Sequence, residues 1–231
     1  MWRKLPITAL TPFTFQDYPE RTACILWFSG CNMACAYCHN PELVKGKLRR
    51  LAPDRIERFL EARRGRLDGV VLSGGECTLC PALPDLARHL KSMGFLVKLD
   101  TNGTRPERLA ALLDEGLVDF VALDFKAPRA KFAAITGWDG WRAFRRALDL
   151  VTRTAVAREV RTTVHADLLD RRDIDAIIRE LEDVGYRGRY VLQNFRAGPT
   201  LGGLRGPSRR LDIDNLSGHG LDIEFRNFDG A

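Results

Sequence analysis

The chain has 231 residues, 45% of them hydrophobic, with 36 Lys and Arg against 30 Asp and Glu for a formal charge of +6. That apolar fraction excludes disorder over the whole chain, and no run approaches the roughly 20 apolar residues of a membrane span. The basic excess consists of 29 Arg and 7 Lys scattered among acids, with no basic tail and no nucleic-acid signature, so neither nucleic acid nor membrane is expected as a partner.

The chain starts Met1-Trp2-Arg3-Lys4-Leu5-Pro6, without the apolar h-region of a secretory signal, and a cytoplasmic protein is expected. Six short, nearly continuous apolar runs follow: Ala23–Ser29, Gly69–Ser73, Phe95–Asp100, Val118–Asp124, Glu159–Val164 and Arg189–Gln193. Such runs suit parallel strands buried on both faces. Helical stripes lie between them: Ile56, Phe59 and Leu60; Leu83, Leu86 and Leu90; Leu109, Leu112 and Leu113; Phe144, Leu148 and Val151; and Ile174, Ile177, Ile178, Leu181 and Val184. Strands alternating with helices predict an α/β fold with a parallel sheet, curled into a full or partial barrel or left open and doubly wound. No linker divides the chain, so a single domain over 1–231 is expected, with a core at about 20–195. Residues 196–231 read as a loop-rich extension in which Leu221–Phe225 forms a possible edge strand.

Folds of this kind keep their chemistry at the C-terminal ends of the strands. The residues there are Cys31, Cys35 and Cys38 after the first strand, and Ser73-Gly74-Gly75-Glu76 after the second. Asp100-Thr101-Asn102-Gly103 closes the third strand and Asp124-Phe125-Lys126 the fourth. Arg161 and His165 belong to the fifth. Three cysteines spaced C-x3-C-x2-C can converge on one metal centre. Three ligands suit an iron–sulfur cubane with one open iron, while zinc would recruit a fourth ligand from His39, Cys77 or Cys80.

The C-x3-C-x2-C loop with Tyr37 before its last cysteine, followed by the GGE motif after the next strand, resembles the radical S-adenosylmethionine enzymes. Asp17-Tyr18-Pro19, Phe28-Ser29-Gly30-Cys31-Asn32, Tyr37-Cys38-His39-Asn40-Pro41 and Leu99-Asp100-Thr101-Asn102-Gly103 look like glycyl-radical-enzyme activases, above all those of anaerobic ribonucleoside-triphosphate reductase. The likeness covers roughly 10–195. No cysteine lies between Cys38 and Cys77, so the chain resembles the type without a ferredoxin-like insert. The resemblance implies a partial (β/α)6 barrel, a [4Fe-4S] cluster on Cys31, Cys35 and Cys38, and reductive cleavage of S-adenosylmethionine. The resulting 5′-deoxyadenosyl radical would take hydrogen from a glycine of a partner enzyme.

By the same resemblance Gly74, Gly75 and Glu76 would hold the methionine amino group. Asp100, Thr101 and Asp124 would hold a monovalent cation beside the ligand carboxylate. Lys126 would lie over the ligand or the partner's glycine as a catalytic residue, and Arg161 near the carboxylate or ribose. Asn102 and His165 complete the candidate cofactor-binding set. A flavodoxin- or ferredoxin-type donor would supply the electron. Rival readings are an activase of another glycyl radical enzyme of the pyruvate formate-lyase type, a small-molecule radical enzyme, and a non-catalytic zinc or iron–sulfur module. Cys77-Thr78-Leu79-Cys80 departs from the motif, where proline commonly follows the glutamate. It reads as a redox pair, a second metal site or, in preference, two incidental buried thiols. Cys24 reads as core, and the seven arginines between Arg49 and Arg66 as a solvated face rather than a dock for an acidic partner.

Overall fold

A computed structural model describes residues 4–228 of the chain. They form one eight-stranded sheet whose spatial order repeats the chain order, β1 to β8. The strands are β1 (Ile7–Thr14), β2 (Ala23–Phe28), β3 (Gly69–Gly74), β4 (Leu96–Thr101), β5 (Phe120–Asp124), β6 (Ala157–Val164), β7 (Gly188–Asn194) and β8 (Leu221–Arg226). Only β1 runs antiparallel, against β2; every later neighbour is parallel. The helices are α1 (Pro41–Lys45), α2 (Pro53–Arg63), α3 (Leu83–Ser92), α4 (Pro106–Asp114), α5 (Arg129–Thr136), α6 (Trp141–Arg153) and α7 (Arg171–Asp183). Right-handed crossovers that never reverse direction put the helices on one face and curl the sheet. The ends β1 and β8 do not pair among the described residues, so the barrel is partial and open at the side, as expected.

Alternate residues of each strand meet different surroundings. Outward residues such as Leu72, Leu99, Leu123 and Leu192 are fully buried in the core against the helices. Inward residues Ala23, Ile25, Val71, Phe120 and Ala122 join Tyr18 in a second apolar cluster that plugs the barrel's lower end. Above this plug the inward positions turn polar, with Asp100 on β4, Asp124 on β5 and Arg161 on β6.

The six predicted parallel strands are all present, and Leu221–Arg226 extends the sheet as a further parallel strand beside β7. β1 escaped the sequence reading because Pro12 interrupts it, and its middle residues are mostly half-buried or exposed. The five-residue α1 and the weakly patterned α5 were likewise not anticipated.

Candidate active site

The cysteine loop leaves β2 and is tied down by four separate parts of the chain. Gly30 N donates to the Leu43 carbonyl (2.6 Å) and Ala34 N to that of Thr136 (2.7 Å). From the C-terminal side, Leu201 N donates to the Cys38 carbonyl and Gly202 N to the Ala36 carbonyl, both at 2.9 Å. A Cβ on Gly202 would lie 2.7 Å from the Ala36 Cβ, so only glycine allows this approach. On the barrel side, Asn102 Nδ2 donates to Cys31 Sγ (3.8 Å) and to Asn32 Oδ1 (3.3 Å), and Thr104 Oγ1 adds a bond to Asn32 Oδ1 (3.2 Å).

Cys31, Cys35 and Cys38 line one open cavity of about 310 Å³ at the upper end of the barrel. Burial pushes the Cys31 thiol up to about 11 and raises Cys35 as well. Loading a metal centre must therefore displace protons. Among the described residues no three His, Cys, Asp or Glu side chains are gathered tightly enough to hold a single ion. A cubane makes no such demand, because each thiolate binds a different iron. Three free thiols on one cavity wall, one of them accepting an amide N–H, fit such a cluster.

Gly74, the last residue of β3, and Gly75 after it form the facing wall. Gly75 N donates to the Phe28 carbonyl and Glu76 N to the Gly30 carbonyl, both at 2.8 Å. Side chains are excluded there: a Cβ on Gly74 would sit 2.2 Å from Phe28 O, and one on Gly75 2.1 Å from Gly30 O. The motif thus locks the root of the cysteine loop to β3 while leaving bare backbone along the cavity.

A chain of charges makes up the third wall. Lys98 Nζ bonds Asp100 Oδ1, and Ser73 Oγ donates to Asp100 Oδ2 (3.0 Å). Arg161 spans both carboxylates, with Nε 3.0 Å from Asp124 Oδ1 and Nη1 3.7 Å from Asp100 Oδ1. Lys126 Nζ donates to Asp124 Oδ2 (2.9 Å). Burial alone would raise both acids, but Arg161 and its lysine neighbours outweigh it. Asp100 is held below the usual carboxylate range and Asp124 at about 2. The same carboxylates raise the pKa values of Lys126 and Arg161 against the effect of burial.

Of the predicted residues, the three cysteines, Gly74, Gly75, Asp100, Asn102, Asp124, Lys126 and Arg161 share the cavity wall. Three do not. Glu76 is 3% exposed and accepts hydrogen bonds from Thr78 N, Thr78 Oγ1, Thr101 Oγ1 and Asn102 N. It braces the turn after β4. Thr101 is consumed by that bond and by Gly103 N, which donates to its Oγ1 (3.1 Å). His165 turns toward the C-terminal segment: its Nε2 lies 2.9 Å from the Arg205 carbonyl and its ring packs edge-on against Phe195. Sequence reasoning missed Lys98, Thr104 and the Leu201–Gly202 strap, and it quoted Ser73 and Asn32 within motifs without giving them a role. Cys77 Sγ donates to the Leu72 and Asp100 carbonyls, and Cys80 Sγ to the Lys4 carbonyl, so both are buried thiols bonded to main chain.

A curled parallel sheet with a three-cysteine loop at its upper rim defines the class of this protein. The description of the Radical SAM superfamily matches residues 25–184, and the chain belongs to that superfamily of enzymes. Two relatives that match over most of both chains narrow the class to the glycyl-radical enzyme activating enzymes. One, from Methanocaldococcus jannaschii and provisionally named as such, is 32% identical over 83% of this chain and 80% of its own. The other is the pyruvate formate-lyase-activating enzyme of Clostridium pasteurianum, 30% identical over 89% of this chain and 83% of its own. Among solved structures, Streptococcus suis SuiB bound to S-adenosylmethionine superposes with a TM-score of 0.64 at 13% identity over 85% of this chain. The chain spans about half of that structure (48%), and the likeness concerns the fold alone.

Proposed function

We propose that this protein activates a glycyl radical enzyme, and that its partner is an anaerobic ribonucleoside-triphosphate reductase. The observation that carries the reading is the meeting, on one cavity, of three thiols from one loop with an ion chain on the opposite wall. Cys31, Cys35 and Cys38 would hold a [4Fe-4S] cluster, leaving its fourth iron for the amino and carboxylate groups of S-adenosylmethionine. When bound and reduced, that cluster supplies the electron that cleaves the sulfonium and yields a carbon radical able to take hydrogen from a glycine Cα. The chain's own residues bind and shield. Gly74 and Gly75 would receive the methionyl end along their bare backbone. Arg161 and Lys126, fixed by Asp124, would face its carboxylate and the incoming glycine loop. Asn102 fixes the orientation of the Cys31 sulfur through its N–H.

The open side of the sheet suits entry of a loop from a partner protein. The choice of reductase rests on the resemblance carried by Asp17-Tyr18-Pro19, the Phe28–Asn32 and Tyr37–Pro41 stretches and the Leu99–Gly103 motif. The long match to the pyruvate formate-lyase-activating enzyme favours a pyruvate formate-lyase-type partner as the second reading. A flavodoxin- or ferredoxin-type donor and a cytoplasmic setting complete the proposal. Among the described residues no helix is long and apolar enough to cross a membrane.

The test is anaerobic purification, cluster reconstitution and incubation with each candidate partner. About four irons and four sulfides per chain are expected, followed by a glycyl-radical EPR signal on the purified reductase. A signal only on pyruvate formate-lyase selects the second reading. Stoichiometric zinc without iron after reconstitution overturns both.

A further inference from the structure

Lys98 is a lysine sealed inside the barrel. It lies on the inward face of β4 two residues before Asp100, and its side chain is 1% exposed. Its ammonium sits 5.6 Å from the Phe120 ring centroid, above the apolar plug, and bonds Asp100 Oδ1. A charge so far from water persists only when paired. The pairing alters what the wall above it can hold. Asp100 Oδ1 is taken by Lys98 and Oδ2 by Ser73, while Asp124 Oδ1 is taken by Arg161 and Oδ2 by Lys126. Thr101 Oγ1 donates to Glu76 and accepts from Gly103 N. The oxygens expected to cradle a monovalent cation already carry the protein's own donors, and the two ammonium groups and the guanidinium among them would repel that ion, so the site does not fit it. Lys98, Lys126 and Arg161 balance Asp100, Asp124 and Glu159, and Arg226 also meets Glu159, so the wall is neutralised from within and can present Arg161 and Lys126 to an anionic ligand group without a further cation.

We propose that Lys98 is a positioning residue that serves as the permanent counter-charge of Asp100, so that the cavity accepts the carboxylate of S-adenosylmethionine without recruiting a monovalent metal ion. This rests on the reading that the cavity takes S-adenosylmethionine. Lys98 acts through Asp100: by neutralising it from below, it frees Arg161 to present its remaining N–H groups to the ligand. In a chain with an apolar residue at 98, Asp100 would lack that partner and a small cation would be drawn into the gap.

The experiment is calorimetric titration of the cluster-loaded full-length protein with S-adenosylmethionine in sodium, potassium and tetramethylammonium chloride at equal ionic strength. Wild-type affinity should agree within about twofold across the three salts, well under the 5–150-fold range of genuine coupling between sites. Lys98→Met should bind on the order of tenfold more weakly in tetramethylammonium, with sodium, potassium or ammonium restoring much of the loss. A merely structural lysine would show no such rescue. Wild-type affinity that climbs about tenfold on adding sodium or potassium overturns the inference. So does a Lys98→Met protein that binds as the wild type does in every salt. Should Lys98→Met fail to fold, the wild-type salt series decides alone. A wild type that loads its cluster but binds no S-adenosylmethionine in any salt overturns the reading of the cavity, and this inference with it.

Discussion

Leu99 and Asp100 are neighbours on β4, yet they serve different ends. Leu99 is fully buried in the apolar layer between sheet and helices, where its contribution scales with the volume it fills. Asp100 faces the lumen, where its value depends on which donor meets which oxygen. The contrast repeats with Leu123 and Asp124 on β5, and with Val160 and Arg161 on β6. The outer face makes the sheet stable and tolerates apolar exchange. The lumen is specified atom by atom, and any stability it adds comes with ligand affinity attached.

Four measurements probe that division. The largest effect is expected from Cys35→Ala, which should abolish cluster loading, read as iron content after reconstitution, while the circular dichroism spectrum stays that of the wild type. Arg161→Gln should come next, since it leaves three buried carboxylates, Asp100, Asp124 and Glu159, short of a shared cation. A loss of about 3 kcal/mol in urea unfolding is expected, together with clearly weaker S-adenosylmethionine binding by calorimetry. Leu99→Ala should cost about 2–5 kcal/mol of stability with no change in ligand affinity at low temperature. A loss of affinity there would erase the distinction between the faces. The smallest effect is in pH. Asp124 is held at about 2 because Arg161 and Lys126 overcome the opposing effect of burial. A carboxyl depressed on folding lends stability that is complete above its unfolded value near 3.9 and drains away as pH falls toward the folded value. The urea midpoint should therefore be level with respect to this group from pH 7 to about 5, then fall between about pH 4 and 2. The fall should be shallower in Arg161→Gln.

Much of this was legible in the sequence. Six buried parallel strands announce themselves as short apolar runs, and the three cysteines and two glycines by their spacing. Lys98 was not legible, because a lysine within Phe95–Asp100 reads as a solvent-facing residue until the sheet is known to curl around it. The surroundings of Glu76 were not legible either, because motif position says nothing of side-chain direction. Only the fold shows Thr78, Thr101 and Asn102 gathered around its carboxylate. The contact of His165 was hidden for a longer-range reason: its partner, the Arg205 carbonyl, comes from a stretch whose glycines and prolines give no periodic signal.

The strap formed by Leu201 and Gly202 bears on the order in which this protein is made. The carbonyls of Ala36 and Cys38 receive their hydrogen bonds from Gly202 and Leu201, residues translated long after them. Until that stretch has left the ribosome and β7 has joined the sheet, the cysteine loop lacks ties on one side. An iron–sulfur cluster delivered early would meet an unfinished seat. The shape of the cysteine loop thus depends on the far end of the fold as well as on its own neighbours.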